Sequence, residues 1–94
     1  MLRDSCADCV VKHVGQAAVL IQESHKGYDY HFIYAMGHLA EAEDESIGEF
    51  PFIANIIREF RIKCLTGESQ IGDIDSLVQK IYNWWWEMQN EETQ

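Results

Sequence analysis

Cys6, Cys9 and His13 hold the densest chemistry in this chain, at spacing i, i+3, i+7. At about 100° per residue, Cys9 and His13 fall roughly 60° and 20° from Cys6 around a helix. Two thiols and an imidazole therefore share one face. Thiolate and imidazole suit Zn²⁺, which they bind at roughly 2.0–2.3 Å, usually with tetrahedral geometry. A second set repeats the spacing: His38, Glu41 and Glu45. A fourth ligand for zinc would come from Glu45, Glu41 or His38. Four protein ligands would make the site structural. An open fourth position holding water would make it catalytic, with a nearby glutamate as base.

Cys6 and Cys9 also work as small core hydrophobes, with His13 a hydrogen-bonded core histidine. A lone C-x-x-C lacks the second ligand pair of a zinc finger. Redox chemistry at a helix N-terminus ranks lower, because thioredoxin-like sites follow a strand and none is expected here. Zinc nucleobase deaminases place H-x-E before P-C-x-x-C, the reverse of the order found here. Di-iron bundles need paired E-x-x-H motifs, and the chain has none.

The elements that must position these residues read as four helices. The first is expected to start at an Ser5 N-cap, with Asp8 three residues on, and to end near His25-Lys26-Gly27. Its apolar stripe is Cys6, Cys9/Val10, Val14, Ala17 and Leu20/Ile21. The second runs from about Asp29 to about Glu45, with Phe32, Ile33, Met36, Leu39 and Ala40 inward. Pro51 opens the third, which buries Phe52, Ile53, Ile56, Ile57, Phe60 and Cys64 and stops at Gly67. Asp73 or Asp75 caps the fourth, which carries Leu77, Val78, Ile81, Tyr82, Trp85 and Met88. No segment alternates with period two, so no strand is expected. The fold class is all-α: one domain, a small antiparallel bundle of about four helices.

The short turn near Gly27-Tyr28 makes the first two helices antiparallel neighbours, with opposed residue numbers summing to about 55. His13 then lies near Glu41 and Glu45, and Cys9 faces position 46. His38 sits between Ala35 and Ala42, small residues that allow close approach, and is expected to face the first helix.

Composition narrows the function. The 94 residues fit one small domain, and 47% hydrophobic content is too high for a disordered chain. No apolar run reaches the roughly 20 residues of a membrane span. The opening MLRDSCADC lacks the apolar stretch of a signal peptide, so a cytoplasmic location is expected. A formal net charge of −9 opposes direct nucleic-acid binding. The acids cluster at Glu41, Glu43, Asp44, Glu45 and Glu49, and again at Glu87, Glu91 and Glu92.

Trp84, Trp85 and Trp86 span roughly 200° of a helix, so one buried face cannot hold all three. They are expected to form a subunit interface, most simply a homodimer. Arg58 and Arg61 share a face and could clamp an anion, although pairing with the 41–49 acids is the simpler expectation. His25, Tyr28, Tyr30 and His31 gather at the first turn and could line a pocket.

The leading expectation is a small acidic zinc-binding bundle acting through protein contacts, of the kind that serves phages and mobile elements as regulators or inhibitors. A metal-dependent hydrolase with an open Cys6/Cys9/His13 site is the enzymatic alternative. A metal-free acidic inhibitor or nucleic-acid mimic is the third.

Overall fold

Each helix carries its buried residues at alternating steps of three and four. The series are Ala7, Val10, Val14, Ala17, Ile21; Ala35, Leu39, Ala42, Ser46; Ile53, Ile57, Phe60, Cys64; and Ile74, Leu77, Ile81. A 3.5-residue repeat keeps one stripe facing one partner, so helices patterned this way lie nearly antiparallel around a shared core. The computed structural model shows that outcome. It describes the backbone of residues 2–24, 29–70 and 72–93, and side chains over 7–24, 30–70 and 72–90.

The helices are α1 (Leu2–Ser24), α2 (Asp29–Ile47), α3 (Pro51–Thr66) and α4 (Asp73–Thr93). Each packs antiparallel on its chain neighbour, and α4 closes the ring against α1. Among the described residues, the backbones of the diagonal pairs do not come close. The α1–α2 hairpin is the most extensively packed pair and α3–α4 the least. No strand occurs among the described residues.

The ends of the helices follow from local chemistry, with two corrections. Ser5 lies inside α1 rather than capping it, because nothing in Leu2–Asp4 prevents the helix from starting earlier. Residues His25–Gly27, where its end was expected, lie outside the described residues, as does Tyr28. Asp73 and Asp75 occupy the first turn of α4, where their charge favours the positive end of the helix dipole. Pro51 opens α3, as its missing N–H permits. Gly67 closes α3 in the left-handed region (φ 78°, ψ 12°). Its N–H donates to Cys64 O and the Glu68 N–H to Lys63 O, the paired bonds of a Schellman ending.

The buried faces also depart in places from simple periodicity. On α2, Ile33 and Ala40 point outward, and the core takes Ala35, Ala42 and Ser46 beside Leu39. Ser46 tolerates full burial because its hydroxyl donates to Ala42 O at 2.8 Å. Phe52 on α3 is 72% exposed, and Tyr82 on α4 is also exposed. Ala17, Ala35 and Ala42 are fully buried, so their small side chains let α1 and α2 approach closely.

Gly15 is a helix-interior glycine with no compensating contact. A Cβ built there would meet nothing within 4 Å. Gly15→Ala is expected to stabilise the fold by about 0.5–1 kcal/mol, since it removes only backbone freedom from the unfolded chain. A thermal melt followed by circular dichroism measures this as a higher Tm; a lower Tm would mean the open space at Gly15 is needed for folding.

Candidate metal centre

The close α1–α2 seam brings two histidines and two glutamates to one level of the bundle. His13 projects from α1, and its Nε2 lies 3.9 Å from Glu41 Oε2 and 3.8 Å from Glu45 Oε2. Glu41 and Glu45 are i, i+4 on α2 and so project side by side. One ligand atom from each of the three residues falls within 4.8 Å of the other two. The other ring nitrogen of His13, Nδ1, lies 3.0 Å from His38 Nδ1. The two rings tilt by 33° with centroids 5.2 Å apart.

The electrostatics of this group are unbalanced. Among the described residues, neither Glu41 nor Glu45 has a lysine or arginine within 4.0 Å; His13 is their only basic neighbour. Glu45 Oε1 is buried and accepts no hydrogen bond from any described residue. A buried carboxylate oxygen without a donor is costly unless a cation faces it. Glu41 is 67% exposed, so the group opens to solvent on one side.

The neighbouring acid behaves differently. Glu43 lies on the α3 side of α2, where Arg61 Nη2 donates to its Oε1 at 2.8 Å and Arg58 Nε stands 4.0 Å from its Oε2. Arg58 and Arg61, the suggested anion clamp, thus meet a carboxylate of the chain itself. Glu43→Ala is expected to cost about 1–3 kcal/mol, because Arg61 is partly buried and would lose its acceptor. Arg58→Ala is expected to cost under about 1 kcal/mol, being the longer and more exposed contact. Urea midpoints measured on both variants check the order.

The structure thus gathers His13, Glu41 and Glu45, with His38 directly behind His13. It does not gather Cys9 into the group. Cys9 is exposed. Four residues of α1 advance the side chain by about 40°, which turns Cys9 farther from the core than His13. The Cys6 side chain lies outside the described residues. The third cysteine, Cys64, is buried beneath α4, and burial pushes its thiol above the ordinary range. A hydrogen bond with Ser69 pulls it partly back and the Asp73 charge adds to the rise. A thiol held protonated is a poor ligand at neutral pH.

Sequence reasoning had both carboxylates and both histidines but not their mutual order. The His13–His38 ring contact went unforeseen, because the expected hairpin register set His38 nearer Ala17. The register itself stands close to expectation, since His13 meets Glu41 and Glu45, and the His38 ring, about one turn away from them on α2, reaches His13 from the other side.

The three tryptophans separate around α4. Trp84 packs edge-on against Phe50, with ring centroids 4.9 Å apart. Trp85 Nε1 donates to Asp8 Oδ1 on α1 at 2.7 Å. Trp86 is left 59% exposed. No helix among the described residues is long and apolar enough to cross a membrane.

No protein-family model matches the chain, and no curated protein or solved structure matches it either.

Proposed function

We propose that this protein is a metal-binding helical bundle that holds one divalent transition ion between α1 and α2. His13 Nε2 and one oxygen each of Glu41 and Glu45 are the ligands, and zinc is the ion of first choice. The supporting observation is the convergence of these atoms, with 3.8 and 3.9 Å from the imidazole nitrogen to the two carboxylate oxygens. A tetrahedral ion with bonds of roughly 2.0–2.1 Å needs ligand atoms about 3.3 Å apart, so the two imidazole–carboxylate edges close with a shift of about half an ångström, and the three atoms, all within 4.8 Å of one another, need at most about 1.5 Å. The imidazole favours zinc and its borderline neighbours over calcium or magnesium, which prefer oxygen alone. Two carboxylates with no arginine or lysine within 4.0 Å among the described residues supply the charge that such an ion neutralises.

The test is calorimetric titration of the metal-free protein with zinc, alongside elemental analysis of natively purified material. One ion per chain, lost in His13→Ala and in Glu45→Gln, is the expected result. Unchanged binding in both variants would place the ion elsewhere.

Beyond the ion, the protein works as a regulator or inhibitor through protein contacts. Support comes from Trp86 and Tyr82, both exposed and one turn apart on α4. Leaving an indole in water forgoes burial worth a few kcal/mol, on the order of that of any large apolar side chain. A two-fold contact between copies would cover both residues with one patch used twice. Light scattering at micromolar concentration should give a dimer mass, tighter at high salt, because the net charge of −9 repels. Trp86→Ala should return a monomer. A monomer mass for the unaltered chain at every salt concentration would remove this proposal.

A second reading, a metal-dependent hydrolase, draws support from the exposure of Glu41, which opens one side of the centre to solvent. Hydrolysis of an activated ester above the rate of free zinc, abolished by His13→Ala, is what it requires.

A further inference from the structure

An open groove of about 740 Å³ runs along the outer face of α1. Val11, Val19 and Leu20 of α1 and Tyr82 of α4 form its apolar walls. Gly15 also lines it and stands between Val11 and Val19, at steps of about 40° around the helix. A Cβ built at Gly15 would meet nothing within 4 Å, so the groove has bare backbone at its middle. A glycine inside a helix costs about 0.5–1 kcal/mol relative to alanine. No contact within the chain makes use of the space it leaves.

The register of α4 on α1 relates this groove to the exposed Trp86. Trp85 Nε1 donates to Asp8 Oδ1, so opposed residue numbers on the two antiparallel helices sum to about 93. Tyr82 then stands level with Val11, and the two share the groove as that register requires. Trp86 stands level with Ala7, four residues to one side of Val11. Gly15 lies four residues to the other side. At 1.5 Å per residue, each is about 6 Å along the bundle from the Val11–Tyr82 level. A two-fold axis passing between Val11 and Tyr82 therefore carries the position of Trp86 onto that of Gly15.

We infer that the Trp86 indole of one copy seats in the α1 groove of a second copy, against the bare backbone at Gly15, and that the exchange is mutual; the inference rests on the two-copy reading above and names where its indole goes. A flat ring can lie close on a helix only where no side chain stands up beneath it, and glycine supplies that place. Lys12 also lines the groove and makes no ion pair within 4.0 Å among the described residues. Its ammonium is free to lie over the indole face, and it brings a cation into a contact between two chains of charge −9. A buried indole N–H needs an acceptor, and Gln16, in the same groove, carries a side-chain carbonyl. The contact is closed: each copy gives one indole and takes one, so assembly stops at two.

The experiment is sedimentation equilibrium at micromolar concentration and raised salt. It compares the unaltered chain, Trp86→Ala, Gly15→Leu and an equal mixture of the two variants. The unaltered chain should be a dimer. Each variant alone should associate roughly 100-fold more weakly or worse, since both seats are lost together. The mixture should recover part of the association, because Trp86 of the Gly15→Leu copy finds an open groove on the Trp86→Ala copy. Val19→Glu, at an exposed wall position, tests the groove without touching Gly15 and should weaken the dimer at least about 10-fold. Circular dichroism checks that each variant folds. A dimer that survives Gly15→Leu and Val19→Glu but not Trp86→Ala overturns the groove as the seat and leaves the two-copy reading standing. A mixture as monomeric as its parts also overturns the seat. A dimer that survives Trp86→Ala overturns it too, since the indole is then not what joins the copies. A monomer for the unaltered chain at every salt concentration overturns the two-copy reading, and the seat with it.

Discussion

Zinc at about one hundred times its dissociation constant is expected to stabilise this protein by about 2.7 kcal/mol. In a domain of this size each kcal/mol moves Tm by about 4–8 °C, so the melt should shift upward by about 10–20 °C. The shift follows from linkage: the unfolded chain cannot hold His13 from α1 against Glu41 and Glu45 from α2, so binding energy becomes folding energy. His13→Ala should melt at the same temperature with zinc and with chelator. Glu45→Gln should keep only a small shift, since it removes the carboxylate whose Oε1 is buried without a donor. Cys9→Ser should keep the full shift, because Cys9 is exposed and outside the group. The comparison is made within each variant, with and without metal, so any direct effect of the substitution on folding cancels. A shift abolished by Cys9→Ser and retained by Glu45→Gln would restore the thiolate site and displace the carboxylate one.

That contrast shows where the sequence was legible. Helix number, all-α class and the ring of neighbours follow from the three-and-four spacing of Val10, Val14, Ala17 and Ile21 and its counterparts. The His38, Glu41, Glu45 stripe follows from the same periodicity, and Ala35 and Ala42 announced a close seam. The thiols are a different case. Cys9 and His13 differ by only about 40° around α1, and that small angle separates a side chain at the seam from one in solvent. Helical periodicity places a residue on a face; it does not fix the distance to the next helix. The burial of Ser46 and the particular partner of Arg61 escaped, because polarity pattern does not encode them. Ser46 is buried since its hydroxyl bonds its own helix. The acids were legible as a group, with Glu45 expected beside His13 and the arginines against the 41–49 stretch, but the choice of Glu43 as the partner of Arg61 was not. The three tryptophans resolved according to local neighbours: Phe50 for Trp84, Asp8 for Trp85, and solvent for Trp86.

Leu39→Ala is expected to be the most damaging of the simple core substitutions, at about 2–5 kcal/mol. Leu39 is fully buried and is among the largest such side chains in the bundle. Its neighbours on the α2 stripe are Ala35 and Ala42, so no adjacent large side chain on that helix can swing in to fill the space. A small domain near the low end of the usual 5–15 kcal/mol stability would lose much of its margin. Phe52→Ala supplies the control. Residue type and period alone mark Phe52 as core, yet its exposure of 72% predicts a change within about 0.5 kcal/mol. Urea denaturation of the two variants decides between the faces: comparable losses would mean that α3 is rotated to bury Phe52 against its neighbours. Leu39 also adjoins His38 in sequence, so the cavity would loosen the turn of α2 that carries the centre. Zinc should therefore bind Leu39→Ala more weakly than the unaltered chain, yet still raise its midpoint. A variant that lost stability and kept full zinc affinity would show that the seam holds His13, Glu41 and Glu45 in place without help from the leucine beneath them.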